Sequence, residues 1–193
     1  KKITESQSMR NQTIKVIMHT LHETNPREKL HSEKVSKLCR KIGQAMKLDD
    51  EMIKELEITG LMHDIGKIAI NNDILNKPGK LTDSEFEEIK KHPEISYHIL
   101  KSADVYTRLA EYVLSHHERW DGKGYPRGLS GEDIPLVSRI ITVADAYEAM
   151  TAIRTYKEAF SNEKALEELK RCSGTQFDPE IVCACAKCSW LMD

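Results

Sequence analysis

Two adjacent imidazoles, His116 and His117, run directly into Glu118-Arg119-Trp120-Asp121-Gly122-Lys123-Gly124-Tyr125-Pro126, a stretch punctuated by glycine and stiffened at its end by proline. Neighbouring histidines are a costly choice unless something binds them. Further histidines stand in apolar settings at His31 and His63, and His92 precedes a proline. Asp64 and Asp145 share this pattern, because both lie on or beside core-facing stripes. Buried imidazoles and carboxylates need partners. A lone histidine on an apolar face is more often a hydrogen-bonded core residue than a ligand, but the same coincidence on four helices points to one metal cluster. Histidine and aspartate ligation without paired cysteines favours a catalytic iron, manganese or zinc site over a structural zinc site. An adjacent His63-Asp64 pair also lets one residue reach each of two ions with the aspartate bridging, which suits two-metal hydrolysis.

The elements that must position these groups read as helices almost throughout, so the fold class is all-α. Residues 1–25 carry Ile14, Ile17, Met18 and Leu21 at helical spacing and read as a connector helix continuing from an upstream domain. Residues 26–193 then form the remaining domain. A stripe over 28–48 contains His31, Val35, Leu38, Ile42 and Met46, which points His31 inward. Asp49 caps a third helix leading to His63-Asp64. A turn-rich loop is expected over 71–81, followed by a capping box from Thr82 and Glu85. Pro93 suits the first turn of the next helix. A helix over 104–117 would align Leu109, Val113, His116 and His117, and a loop of about fifteen residues follows, long enough to suggest function. Val137, Ile141, Ala144, Asp145 and Glu148 form another stripe that places a carboxylate inside. Ser161 and Asp178-Pro179 open the last two helices.

Composition excludes several classes. With 193 residues, 39% hydrophobic, the chain can bury the core of one domain. A net charge of −2 gives no basic field for a DNA or RNA polymer, and no apolar run approaches the roughly 20 residues of a membrane span. No signal-peptide pattern opens the chain, and a cytoplasmic location is expected. Five cysteines, three of them at Cys183, Cys185 and Cys188, argue for a reducing compartment and for packing roles rather than disulfides.

At these same residues the chain resembles the HD-GYP family of the HD phosphohydrolase superfamily. His63-Asp64 stands in HDIGK, His92 in KHPE, His116-His117 in HHERWDGKGYP, Asp145 in VADAYEAMT and His31 in HSEKV. The resemblance spans about residues 26–188 and implies an HD-type helical bundle with a dinuclear metal site in its core. It further implies a phosphodiesterase that hydrolyses cyclic di-GMP to pGpG, and onward to GMP in some members, with water activated by two divalent ions. Those ions would be iron or manganese, with zinc as the remaining option. His31, His63, Asp64, His92, His116, His117 and Asp145 carry over as ligands, with Asp64 the bridge. Lys67 would face the scissile phosphate and neutralise developing charge or protonate the leaving oxygen. Arg154 and Lys157 match cationic positions that grip the dinucleotide's phosphates, although the local Ile153-Arg154-Thr155-Tyr156-Lys157 lacks the family's usual aspartate and proline.

Gly122, Gly124, Tyr125 and Pro126 read as a structural loop that holds the histidine pair, and the resemblance implies contacts there with diguanylate cyclase or sensor domains. A homodimer is compatible with this picture. Two other functions fit the residues: a non-catalytic nucleotide receptor or partner-binding module, and a hydrolase acting on another cyclic dinucleotide or nucleotide. One departure bears on metal count. Some family members use a glutamate four residues before the first ligand histidine to hold a third ion, and here that position is Arg27. Glu28, three residues before His31, leaves a route to a third ion, but Pro26 starting the helix limits its rotation and the Arg27 charge disfavours another cation, so two ions are expected.

Overall fold

The structure, a computed structural model, describes residues 2–152 and 159–187, with side chains described from residue 12 onward. Among the described residues, ten α-helices follow one another: α1 Lys2–Thr24, α2 Pro26–Ala45, α3 Asp50–Met62, α4 Asn72–Leu75, α5 Asp83–Ile89, α6 His92–Lys101, α7 Thr107–Leu114, α8 Leu136–Thr151, α9 Asn162–Arg171 and α10 Pro179–Ala186. Short 3₁₀ turns at Ile65–Ala69, Asp104–Tyr106 and Gly131–Asp133 link them. No strand occurs among the described residues, only an isolated bridge between Ser173 and Phe177. None of their helices is long and apolar enough to cross a membrane.

Local chemistry sets the helix starts. Pro26 opens α2 behind an Asn25 cap, and Asp49 accepts the Met52 N–H at 2.8 Å to open α3. Thr82 and Glu85 form both bonds of the expected capping box, while Ser161 and Asp178 cap α9 and α10.

Two apolar clusters hold the bundle. The larger joins Val35, Cys39 and Ile42 of α2 to Leu56 of α3, Ile140, Ile141 and Val143 of α8, and residues of α9 and α10. Removing each such side chain from water contributes roughly 1.5–3 kcal/mol. The smaller cluster joins Ile14 and Met18 of α1 to Met62, Ile65, Leu100 and Val113. The second half of α1 is thus seated on the same residues that flank His63-Asp64. Cys185 is buried in the larger cluster and Cys183 is exposed, as their opposite projections require; Cys188 lies outside the described residues.

Two expected elements differ. The 71–81 stretch contains α4, a single turn capped by Asn71, whose side chain accepts the Asp73 N–H at 2.8 Å. The helix expected over 104–117 is a 3₁₀ turn followed by α7, which stops at Leu114, so His116 and His117 lie in the turn beyond it. Adjacent residues on a helix project about 100° apart. Only by leaving the helix can both imidazoles face one site.

Candidate metal centre

Close packing around three backbone segments brings the histidines together. Gly66, just after the His63-Asp64 pair, lies against α6: a Cβ there would sit 2.2 Å from the His92 carbonyl oxygen and 2.6 Å from Ser96 N. Gly66 N–H instead donates to Ser96 Oγ at 2.8 Å, and that hydroxyl donates to the His63 carbonyl at 3.2 Å. The turn after α7 is tied to α8 by Thr142 Oγ1, which donates to the His116 carbonyl at 2.7 Å.

Six of the expected ligands form two groups of three. His31, His63 and Asp64 make one, His92, His116 and His117 the other, and within each group the donor atoms lie within 4.8 Å of one another. Asp64 stands between them. Its Oδ2 lies 3.1 Å from His63 Nε2 and 3.4 Å from His31 Nε2, while its Oδ1 lies 3.1 Å from His92 Nε2 and 4.0 Å from His116 Nε2. Asp145 Oδ1 closes the first side, 3.3 Å from His31 Nε2.

The hydrogen-bond network fixes which ring nitrogens are free. His63, His92 and His116 each place Nδ1 on the backbone carbonyl three residues earlier, those of Gly60, Ile89 and Val113. A carbonyl only accepts, so each Nδ1 carries a proton, and the ring in that tautomer presents a lone pair at Nε2. Two of these lone pairs, on His92 and His116, face each other at 3.2 Å. His63 Nε2 is buried without a hydrogen-bond partner. Nitrogen lone pairs converging on one another call for a Lewis acid, and the donor set of imidazoles and carboxylates fits a divalent transition metal. Glu148 Oε2 lies 2.7 Å from His31 Nδ1, the carboxylate–histidine pairing that orients a metal-binding ring.

The electrostatics divide the centre. Burial, with neighbouring imidazoles, holds His116 well below the ordinary histidine range, and burial takes His117 down to about 3. Burial also lowers His31, but hydrogen bonds to Asp145, Asp64 and Glu148 outweigh it and push its pKa up to about 12. Asp64 resists the upward push of burial because the Lys67 ammonium and the hydrogen bond from His31 hold its carboxyl far below the usual carboxylate range.

The centre forms the floor of a cavity of about 710 Å³, whose lining includes Asp64, Lys67, His117 and Asp145. Lys67 Nζ lies 2.7 Å from Asp64 Oδ2 and 2.9 Å from Glu28 Oε2, turned toward carboxylates rather than open space. Arg27 lines the same cavity. Arg154 and Lys157 lie outside the described residues.

The glycine-rich loop is pinned beside the histidines. A Cβ at Gly124 would stand 2.4 Å from Arg119 N and 2.6 Å from the His117 carbonyl oxygen, so only glycine allows this approach. Tyr125 stacks on His117, with centroids 4.9 Å apart and planes at 27°, and a cis peptide joins it to Pro126. Gly122 has φ +75 in the loop's turn. Two residues beyond the expected site emerge. Glu148 was legible as an inward carboxylate but not as the partner of His31. Glu118, 1% exposed, accepts the Arg127 N–H at 2.7 Å and the Leu129 N–H at 3.0 Å, folding the loop back on the histidine pair. Its partners are backbone groups, which leave no side-chain pattern to read.

A helical bundle with a histidine–aspartate pair at the heart of an internal His/Asp cluster defines a class of all-α metal-binding domains. The chain belongs to the HD domain family, whose model matches residues 15–181. It is 42% identical over 154 residues to a cyclic di-GMP phosphodiesterase of Thermotoga maritima, covering 79% of this chain and 42% of the relative. It is also 42% identical over 140 residues to the 3'3'-cGAMP-specific phosphodiesterase 1 of Vibrio cholerae, covering 72% of this chain and 32% of the relative. The chain thus spans less than half the length of these curated relatives. Among solved structures, the fold matches Bd1817, an HDG"Y"P protein from Bdellovibrio bacteriovorus, with a TM-score of 0.69 and 18% identity over 94% of this chain and 61% of that one. It also matches the HD domain of the L. monocytogenes phosphodiesterase PgpH in complex with cyclic-di-AMP, with a TM-score of 0.58 and 17% identity over 91% of this chain and 83% of that one.

Proposed function

We propose that this chain is a metal-dependent phosphodiesterase that opens cyclic di-GMP to pGpG at a dinuclear centre. The observation that carries the reading is the division of the Asp64 carboxylate, one oxygen toward each group of three donors. His31, His63 and Asp145 would hold one ion, and His92, His116 and His117 the other, with Asp64 between them. When bound, divalent ions lower the pKa of water so that hydroxide is available near neutral pH, and they polarise a phosphoryl oxygen. Iron or manganese suits the mixed imidazole and carboxylate donors best.

The chain's own groups supply the rest. Glu148 holds His31 in orientation through Nδ1, and the carbonyls of Gly60, Ile89 and Val113 do the same for three other rings. Lys67, held between Asp64 and Glu28, would neutralise charge on the phosphate and give a proton to the leaving oxygen. Arg154 and Lys157 would grip the second phosphate. Tyr125, stacked on His117, lines the pocket beside that ring, and Gly122, Gly124 and Pro126 would hold the loop that carries it.

Residues 1–25 serve in this reading as a connector from an upstream sensory domain in a cytoplasmic protein. Ile14 and Met18 pack with Met62 and Ile65, which bracket the His63-Asp64 pair, so a shift of α1 would reach the centre directly. A second substrate, 3'3'-cGAMP, is favoured by a relative of equal identity named for it.

Anaerobic purification, metal analysis and turnover of cyclic di-GMP and 3'3'-cGAMP on the same sample test the reading. Formation of pGpG by protein carrying two ions is the expected result. A fully loaded protein that binds cyclic di-GMP without cleaving it would make the chain a receptor instead.

A further inference from the structure

Above the metal centre, the cavity wall is apolar where α4 and α5 form it. Ile74, Leu81, Phe86 and Ile89 line that wall, in the same cavity as Asp64 and Lys67. Phe86 is 48% exposed, against 0–9% for the core side chains. Exposed leucines and valines are common and need no explanation, but a large aromatic ring left open inside a concave, charged site is a contact surface awaiting a flat partner. Val105 is more exposed still and does not line this cavity, so exposure alone does not single out Phe86.

The ring is also tied to the metal side. Lys90 Nζ lies 5.7 Å from the Phe86 ring centroid and 5.4 Å from that of Tyr125, within cation–π range of both, and Tyr125 in turn stacks on His117. A nucleotide whose phosphodiester meets Asp64 and Lys67 carries its base, through the ribose, off to one side. The apolar wall is the surface suited to receive it, because every base has a π-face and stacks on aromatic rings irrespective of its hydrogen-bonding edge.

We propose that Phe86 is the stacking platform for one purine base of the substrate, the residue through which the α4–α5 wall reads the nucleoside while the metal floor reads the phosphate. The inference rests on the cyclic dinucleotide reading above. Kinetics of the metal-loaded chain test it. Phe86→Ala and Phe86→Leu should raise KM for cyclic di-GMP about tenfold, the effect of losing one base–aromatic stack, with kcat within about twofold. Phe86→Trp should restore KM. Metal content and the inhibition constant of inorganic phosphate, which has no base, should stay unchanged in all three variants, and Val105→Ala should behave as wild type. An unchanged KM in Phe86→Ala overturns the inference alone, as does a loss of metal or of phosphate inhibition, which would mean a merely structural role. A wild-type chain that neither binds nor cleaves any cyclic purine dinucleotide overturns the inference together with the functional reading.

Discussion

His92 and His116 aim bare Nε2 lone pairs at each other across 3.2 Å, because each ring has committed its Nδ1 proton to a carbonyl of its own segment. In that tautomer neither nitrogen has a proton to give the other, and both rings are buried. An ion between them converts a repulsion into two bonds. Binding to the folded state alone stabilises it, by about 2.7 kcal/mol at a hundredfold excess over Kd. For a chain of this size, manganese at that excess should raise Tm by roughly 5–10 °C over the chelated protein in a thermal melt. Asp64→Ala, which removes the oxygens facing both groups, should lose that rise together with turnover. Equal melting temperatures with chelator and with metal would remove the centre from this site.

Glu148→Gln separates orientation from ligation. Glu148 touches no expected ion but holds His31 Nδ1 at 2.7 Å. Replacing such a partner costs on the order of 10–100-fold in metal affinity or activity. Titration of chelated protein with metal should show the weakening at one ion of the pair, with the His92, His116 and His117 group unaffected. Unaltered affinity at both would mean that Asp145 and Asp64 suffice to orient the ring.

Much of this cluster was legible because ligand chemistry shows in residue type: few reasons other than metal put His31 and Asp145 on inward stripes of two helices and His63 and the His116-His117 pair at the ends of two more. The caps at Asp49, Thr82, Ser161 and Asp178 were equally plain, since a side chain that accepts from the first helical turn has a local signature. What stayed hidden depends on contacts distant in sequence. The Leu114 end of α7 follows from the need to turn two adjacent rings the same way, and apolar periodicity carries no trace of that need. Glu118 carries no local signature, because its carboxylate closes the loop by accepting the N–H groups of Arg127 and Leu129. Glu28 and Lys67 are 39 residues apart, so their ion pair exists only once α2 and the turn after α3 are packed together.

Metal loading should release a proton from His31. Burial alone would lower that group, but Asp145, Asp64 and Glu148 raise its pKa to about 12, so the metal-free ring is an imidazolium at neutral pH. Ligation requires the neutral ring. His117, at about 3, and His116, held well below its usual range, are already neutral and release nothing. The sign follows: a raised pKa means the metal competes with a proton throughout pH 6–9, so log affinity at the His31 ion should climb with a slope of about +1 per pH unit. Calorimetry of metal binding in buffers of different ionisation enthalpy should report about one proton released per chain. A pH-independent affinity over that range would mean that His31 is not displaced from its carboxylates by metal.

The number of ions turns on Glu28, a carboxylate three residues before His31 that the two-metal arrangement does not use. Its Oε2 lies 2.9 Å from Lys67 Nζ, and Arg27 lines the same cavity. Asp64 and Glu28 raise the Lys67 pKa against the opposing effect of burial, so the ammonium stays charged at every pH at which the protein would work. A third divalent ion at Glu28 would have to displace that cation and sit beside the Arg27 guanidinium, both repulsions in a partly enclosed site. Fully loaded protein should therefore carry two ions by elemental analysis, and Glu28→Gln should leave that number unchanged. Lys67→Ala removes the cation and should lower kcat by about 10²-fold, within the range for loss of a positioned acid or charge stabiliser, with a smaller change in KM. The same variant leaves Glu28 unpaired beside Asp64, so it is the form most able to recruit a third ion. Three ions in Lys67→Ala with two in the wild type would identify Lys67 as the group that sets the count; three in the wild type, with Glu28 as a ligand, would overturn the two-metal assignment.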